Sequence, residues 1–169
     1  MVSVIAAMKA ARAKGAITIL DPAPARELPD ELFRATSILT PNQTEAAFLI
    51  ASNQPIETMA EALHAARQLQ ARGAESVIVK MGAQGCLMAD EPETTEVPGF
   101  SVQPVDTTAA GDTFNAALAV ALAENRMPLD AIRFANAAAA LSVTRPGAIS
   151  SMPVRAEVEQ FLESARSRA

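Results

Sequence analysis

Short β-branched runs alternate with long segments of helical period along this chain, and that alternation leaves few folds open to it. The clearest strand is Ser76–Lys80, an apolar run ended by a glycine-containing turn. Residues 16–20 and 37–40 are briefer runs of the same kind, stopped by Asp21-Pro22 and Pro41-Asn42. Residues 86–89 resume as a strand after the turn 81–85, which predicts a hairpin with Ser76–Lys80. Residues 2–14 place Val4, Ile5, Met8 and Ala11 on one helical face and stop at Gly15. Residues 55–72 do the same with Met59, Ala62, Ala66 and Leu69; Pro55 suits a first turn and Gly73 ends the pattern. Residues 128–143 direct Leu129, Ile132, Ala135, Ala139 and Val143 inward, and residues 155–166 close the chain with Val158, Phe161 and Leu162. Strands that alternate with helices predict βαβ units around a mainly parallel sheet, an α/β fold. We read residues 1–169 as one domain, a length at which folding buries on the order of 70% of the unfolded chain's surface.

The connections complete this outline. Residues 21–29 hold three prolines and form a loop, and residues 29–35 a short helical turn. Asn42 with Glu45 three positions later reads as a capping box at the start of a helix. Residues 90–96 read as an acidic surface loop, residues 95–97 and 101–105 as short strands, and residues 144–151 as an ordinary Pro/Gly/Ser loop. In parallel sheets ligands bind beyond the carboxyl ends of the strands. The residues at those ends are Asp21, Asn42 and the turn that runs from Lys80 to Gly85, and the topology predicts that they converge with Asp112.

Asp112 belongs to the stretch 106–115, Asp-Thr-Thr-Ala-Ala-Gly-Asp-Thr-Phe-Asn. Small residues separate two carboxylates six positions apart. Phe114, Leu118, Ala121 and Leu122 then recur at helical spacing, so a tight turn feeds a helix N-terminus. The first amides of a helix lack intrahelical partners and the dipole there is positive, which suits an anion. Ala109, Ala110 and Gly111 leave room for a substrate to approach the backbone. A carboxylate in that place can take a proton from a hydroxyl while the amides hold the developing charge. It can equally do no more than complement the helix dipole.

Charge and composition exclude several partners. The net charge is −5, with 14 basic against 19 acidic residues, and there is no Trp or Tyr. Both facts argue against nucleic acid, and the charge argues against an anionic membrane. No apolar run approaches the ~20 residues that span a bilayer. The basic residues of the first segment come late, the wrong order for a secretory leader. Cys86 is the only cysteine, so an internal disulfide is excluded and a reducing cytoplasm fits. His64 is the only histidine and lies off the apolar face of its helix, which reads as a solvated residue.

The stretch 106–115 resembles the second signature of the ribokinase-like (PfkB) carbohydrate kinase family. Further matching strings are DPAPARELPDELF, TPNQTEA, VPGFSVQPVDTTAAGDTFNA and AIRFANAAAALSVTRPGA. The resemblance implies a three-layer, Rossmann-like fold, present here as the carboxyl-terminal part of the family's domain. The sugar-binding residues, the early Gly-Gly signature and the lid are expected to be absent. It implies ATP-dependent phosphorylation of a sugar hydroxyl, with ribose favoured by overall closeness; a nucleotide-holding remnant, or a kinase for another sugar or nucleoside, is the alternative. Asp112 would be the catalytic base, and Ala109, Ala110, Gly111 and Asp112 the anion hole. Asn42 and Glu45 match the N-x-x-E motif that positions phosphate and the magnesium shell. Lys80, Met81, Gly82, Ala83, Gln84 and Gly85 match the nucleotide-contacting turn, and Asn136 a position against the nucleotide. Asp106, Thr108, Ser142, Arg145, Gly147 and Ser151 match the ligands of a monovalent cation, usually potassium. A partial domain of this kind is expected either to self-associate through an uncovered strand edge near residues 2–20 or to be marginally stable and aggregate.

Overall fold

The computed structural model describes residues 1–167. The chain divides into two compact units, Met1–Gly82 with Cys86–Glu96, and Ala83–Gly85 with Val97–Ala169.

The first unit is built on a five-stranded mixed sheet of order β1-β2-β3-β4-β5, comprising β1 (Ile19–Leu20), β2 (Ile38–Leu39), β3 (Ser76–Lys80), β4 (Gly85–Asp90) and β5 (Glu93–Pro98). The first three strands are parallel, and β4 returns antiparallel to β3 as the expected hairpin, with Val77 opposite Ala89 and Val79 opposite Leu87. Four helices accompany the sheet: α1 (Val2–Arg12), α2 (Asp30–Arg34), α3 (Gln43–Leu49) and α4 (Met59–Ala71). Leu32, Phe33, Leu39, Leu69, Val77, Val79 and Leu87 form one buried cluster, with Ile5 and Met8 of α1 packed against its rim. Each such side chain contributes about 1.5–3 kcal/mol on burial.

Several expectations shift. The strand at 16–20 shrinks to two half-buried residues and Ile17 is exposed. The reason is local: the Thr18 hydroxyl donates to the Ala35 carbonyl at 2.7 Å, and the Thr18 amide donates to the Ser37 hydroxyl at 3.1 Å. A side-chain bond thus takes the place of the ladder at the Thr18 amide, while the Thr18 carbonyl still accepts the Ser37 and Ile38 amides. Val4 of α1 is exposed, since only part of the anticipated face meets the core. Helix α4 starts at Met59 rather than at residue 55, because Thr58 caps it. The Glu61 amide donates to the Thr58 hydroxyl and Glu61 Oε2 accepts from the Thr58 amide at 2.9 Å, a capping box that places Pro55 outside the helix. The acidic stretch 90–96 is not a loop but mostly strand, completing β4 and opening β5.

The second unit contains α5 (Ala110–Ala123), α6 (Pro128–Ser142) and α7 (Arg155–Arg166). Ala131, Ala135, Ala137 and Ala138 are buried on α6, and their small size lets α5 lie close against it. Phe100 stacks at a tilt on Phe161 of α7, with ring centroids 5.1 Å apart. Residues 101–105 form no strand; the Val105 amide donates instead to the Val143 carbonyl at 2.7 Å, which ties this segment to the end of α6. Leu129 is exposed, since it sits in the first turn of α6, ahead of the packed part of the helix.

Candidate active site

In the first unit the carboxyl ends of the parallel strands meet as the topology requires. Lys80, the last residue of β3, donates its amide to the Pro41 carbonyl at 2.8 Å and continues the ladder to Asn42 as an isolated bridge. Its ammonium reaches back across β2 to Asp21 Oδ2 at 3.1 Å, just past the end of β1. The two side chains are only 14% and 23% exposed, so this pair is much better shielded than a surface ion pair. Asn42 then caps α3. Glu45 donates its amide to Asn42 Oδ1 at 2.9 Å, and Glu45 Oε2 accepts from the Asn42 amide at 2.8 Å. The capping box read from the sequence is therefore present, and Glu45 is buried at the helix start with its carboxylate held in place. His64 is exposed and bonds only along its own helix, Nε2 to the Gln68 amide nitrogen at 2.8 Å.

In the second unit the stretch 106–115 turns sharply into α5. The cap of that helix is Ala109, at φ 60° and ψ 16°. A left-handed conformation costs an L-residue roughly 1–2 kcal/mol, so a non-glycine residue held there marks a place where the surroundings dictate the backbone. The Ala110 amide donates to the Thr107 carbonyl at 3.2 Å and the Thr113 amide to the Ala109 carbonyl at 2.9 Å. The two amides between them, of Gly111 and Asp112, belong to the first turn, where an intrahelical acceptor is lacking. Thr113 adds its hydroxyl to the Ala109 carbonyl at 2.9 Å and fixes the cap from inside the first turn. Asp112 is the third residue of α5 and its side chain is exposed.

Asp106 anchors the start of the turn. Its Oδ1 accepts from the Thr108 amide at 2.9 Å and its Oδ2 from the Gly147 amide at 2.8 Å. The Thr108 hydroxyl, the Gly147 amide and the Thr108 amide, in that order, hold the Asp106 carboxyl down to about 2. Of the residues matched to cation ligands, Asp106, Thr108 and Gly147 are thus joined. The other side chains turn elsewhere. Ser142 donates to the Ala139 carbonyl and Ser151 to the Ala148 carbonyl, both at 2.8 Å, while Arg145 pairs with Glu157 of α7. The Ser142 carbonyl itself accepts from the Arg145 amide at 3.2 Å.

The nucleotide-matched turn is a single 3-10 turn, Gly82–Gln84. Its last part belongs to the second unit. A Cβ on Gly85, whose φ is 97°, would lie 2.1 Å from the Val97 carbonyl oxygen; a Cβ on Gly99 would lie 2.3 Å from that of Ala83. The two strands of backbone therefore touch directly, closed by the Gly99 amide on the Gln84 carbonyl at 3.1 Å. Asn136, buried on α6, sends its side-chain amide to the same Val97 carbonyl at 3.4 Å. Asn136, Gln84 and Gly85 are thus brought together around Val97–Gly99. Sequence reasoning missed the role of Gly99, the left-handed Ala109 and the Glu157 partner of Arg145. Only the isolated Pro98-Gly99 pair carried any signal, that of a close approach.

Known proteins are similar to this chain in sequence and fold. The profile of the pfkB family of carbohydrate kinases matches residues 2–155. A ribokinase of Haemophilus influenzae is 43% identical over 159 residues, 94% of this chain and 51% of the relative's length. A ribokinase of Bacillus subtilis is 46% identical over 144 residues, 85% of this chain and 45% of the relative. Among solved structures, Arabidopsis thaliana ribokinase complexed with ribose and ATP superposes with a TM-score of 0.88 at 37% identity, covering 95% of this chain and 52% of that one. The chain thus spans about half the length of the curated relatives it matches.

Proposed function

The chain belongs to the pfkB family of carbohydrate kinases, and from that premise we propose that it carries the nucleotide-binding and catalytic half of an ATP-dependent sugar kinase, with D-ribose as the acceptor. In this reading Asp112 accepts the proton of a sugar hydroxyl as its oxygen attacks the γ-phosphorus. The bond from that phosphorus to the β–γ bridging oxygen breaks and ADP leaves. The amides at the start of α5 hold the charge on the phosphoryl group in flight. One observation carries the proposal. A left-handed Ala109 starts α5, and the first turn it opens carries an exposed Asp112 carboxylate beside amides of the kind that lack intrahelical acceptors. A dipole-complementing aspartate alone needs no such strained cap.

ATP use is supported by the ribokinase relatives, and the residues around Val97–Gly99 supply a packed backbone turn and the Asn136 amide for the nucleotide. Glu45 keeps one carboxylate oxygen beyond the one bonded to the Asn42 amide, which fits a water of a magnesium shell. Magnesium would supply neutralisation of the phosphate charge. Asp106 and the carbonyls of the loop after α6 are hard oxygen donors of the type potassium takes. Among the described residues no helix is long and apolar enough to cross a membrane. Cytoplasmic residence is part of the proposal, supported by Cys86 as the only cysteine.

The test is Asp112→Asn in a complete kinase that contains this chain. Loss of a general base costs 10²–10⁴-fold, roughly 3–5 kcal/mol. We expect turnover to fall by that factor while nucleotide affinity holds, measured by coupled ADP release and by calorimetry. Undiminished turnover would remove Asp112 from the role. The half-length match favours a second reading for these 169 residues taken alone, in which they hold nucleotide without turning over sugar. ATP binding without ribose-dependent ADP release would support it.

A further inference from the structure

We propose that Glu157, on the first turn of α7, is a positioning residue for the turn that leads into α5, acting through Arg145 and the loop between α6 and α7. The inference rests on the reading of that turn as an anion hole.

The contacts form one chain. Glu157 Oε1 accepts from Arg145 Nη2 at 2.6 Å, and Oε2 accepts both from Arg145 Nη1 at 3.2 Å and from the Val154 amide at 2.9 Å. A glutamate that only caps a helix needs one oxygen for the cap. Here both oxygens are engaged, and the fork-to-fork geometry fixes the orientation of the guanidinium as well as its distance. Arg145 lies two residues before Gly147, whose amide grips Asp106 Oδ2 at 2.8 Å. Two residues before Arg145, the Val143 carbonyl accepts from the amides of Val105 and Asp106 at 2.7 and 3.2 Å. The loop therefore holds Asp106 from both sides of Arg145, by its backbone and by its side chain. Asp106 Oδ1 passes the constraint on to the Thr108 amide, next to the strained Ala109.

The loop has little else to hold it. Its other bonds are short-range: the Thr144 and Arg145 amides on Leu141 and Ser142 at the end of α6, the Met152 amide on Ile149, the Ser150 hydroxyl on Pro146 and the Ser151 hydroxyl on Ala148. Ile149 at its tip is 85% exposed, so apolar packing does not fix the loop there. The Thr144 hydroxyl ties the start of the loop to the Leu141 carbonyl of α6 at 2.6 Å, and among the described residues the Glu157 clamp is the side-chain bond that joins the loop to α7. The Arg145 hydrogen bond, followed by the Val154 amide, also keeps the Glu157 carboxyl below its ordinary range, so the clamp persists across neutral pH.

The test uses the isotope-labelled chain and two variants. Glu157→Gln keeps an oxygen for the Val154 amide and loses the charged fork. Arg145→Lys keeps the charge and the helix cap but loses the bidentate geometry. Amide hydrogen exchange is read at Gly147 and Thr108 and, as control, along α7 from Val158 to Leu162. We expect exchange at Gly147 and Thr108 to rise about fivefold in both variants, what a partly exposed pair worth up to about 1 kcal/mol supports, with α7 unchanged. Unchanged protection at Gly147 in Arg145→Lys overturns the proposal. So does a rise that merely tracks α7, since that is a structural role alone. Inorganic phosphate is then titrated into the same samples. We expect the Gly111 and Asp112 amides to respond in the wild type and more weakly in the variants. Silence of those amides in the wild type would sink the anion-hole reading, while the exchange experiment still decides the positioning role.

Discussion

Gly85→Ala, set against Gly82→Ala, isolates how much of the nucleotide-matched turn depends on backbone contact. Both glycines have positive φ, 97° and 58°, so both substitutions meet the roughly 1–2 kcal/mol of a left-handed L-residue. Both also stiffen the unfolded chain, which returns about 0.4–1 kcal/mol. For Gly82 nothing else enters, because no atom lies within 4 Å of the place its Cβ would take. Its net loss is therefore about 0.5–1 kcal/mol. For Gly85 the new Cβ meets the Val97 carbonyl oxygen at 2.1 Å and the Gly99 amide nitrogen at 2.4 Å, both well inside the 3.0 Å that real Cβ contacts respect. Backbone on both sides cannot rotate away, so the overpacking cost of about 1–3 kcal/mol applies in its upper part. The Gly99 amide bond to Gln84 is strained too, at about 1 kcal/mol. The expected loss is about 3.5–5 kcal/mol, a large share of a total stability of roughly 5–15. Urea unfolding reads this directly. With a slope of about 2 kcal/mol per molar, the Gly85→Ala midpoint should fall by about 2 M and that of Gly82→Ala by less than about 0.5 M. If the two variants agree within about 0.5 kcal/mol, the packed contact between residues 83–85 and 97–99 is wrong.

Three further outcomes are expected. Potassium should stimulate a complete kinase containing this chain more than sodium does, through Asp106 and the carbonyls after α6; equal rates in potassium and a large inert cation would remove that site. Asp106, depressed to about 2 from 3.8, contributes stability that is present above the unfolded value and lost as pH falls through about 2. Asp106→Asn should thus be less stable than the wild type at neutral pH, with the difference closing in that acid window on a pH series of melts. β1 lies at the edge of the sheet with Ile17 exposed beside it, so light scattering should show self-association that Ile17→Lys reduces; a clean monomer at all concentrations would dispose of it.

The elements that sequence locates well are those whose local and tertiary signals agree. β3 is bounded by turn chemistry and buried over its first four residues, so Ser76–Lys80 is legible to the residue. The same holds for α7, where Val158, Phe161 and Leu162 lie on one stripe and the bounds are Arg155–Arg166. β1 reads longer than it is because the Thr18 amide bonds the Ser37 hydroxyl instead of the ladder, which periodicity does not register. α4 reads as starting early because Pro55 imitates a first turn while the true signal, Thr58 with Glu61, lies three residues on. Residues 90–96 look like a loop because charge dominates. In the fold they are an edge ribbon whose charged side chains point outward, an arrangement that also discourages unwanted pairing.

The candidate site divides along the same line, but with the sign reversed. Asn42 and Glu45 are legible twice, as a capping box and as a family motif, and the two readings do not compete: the cap is what immobilises the carboxylate. The left-handed conformation of Ala109 is not legible at all. Nothing in an alanine announces a φ of 60°, and helix propensity argues against a break there. The conformation arises because Thr113 and the Ala109 carbonyl close the first turn from one side while Asp106 holds Thr108 on the other. Both restraints come from polar groups that bind backbone rather than from the apolar pattern. Asp106 in turn depends on Gly147, 41 residues further along the chain. A site whose shape is fixed by such distant backbone bonds leaves its chemistry in the sequence and its geometry only in the fold. That is why Asp112 can be named from a single short stretch, whereas Glu157, which we infer to hold the same turn steady from α7, cannot.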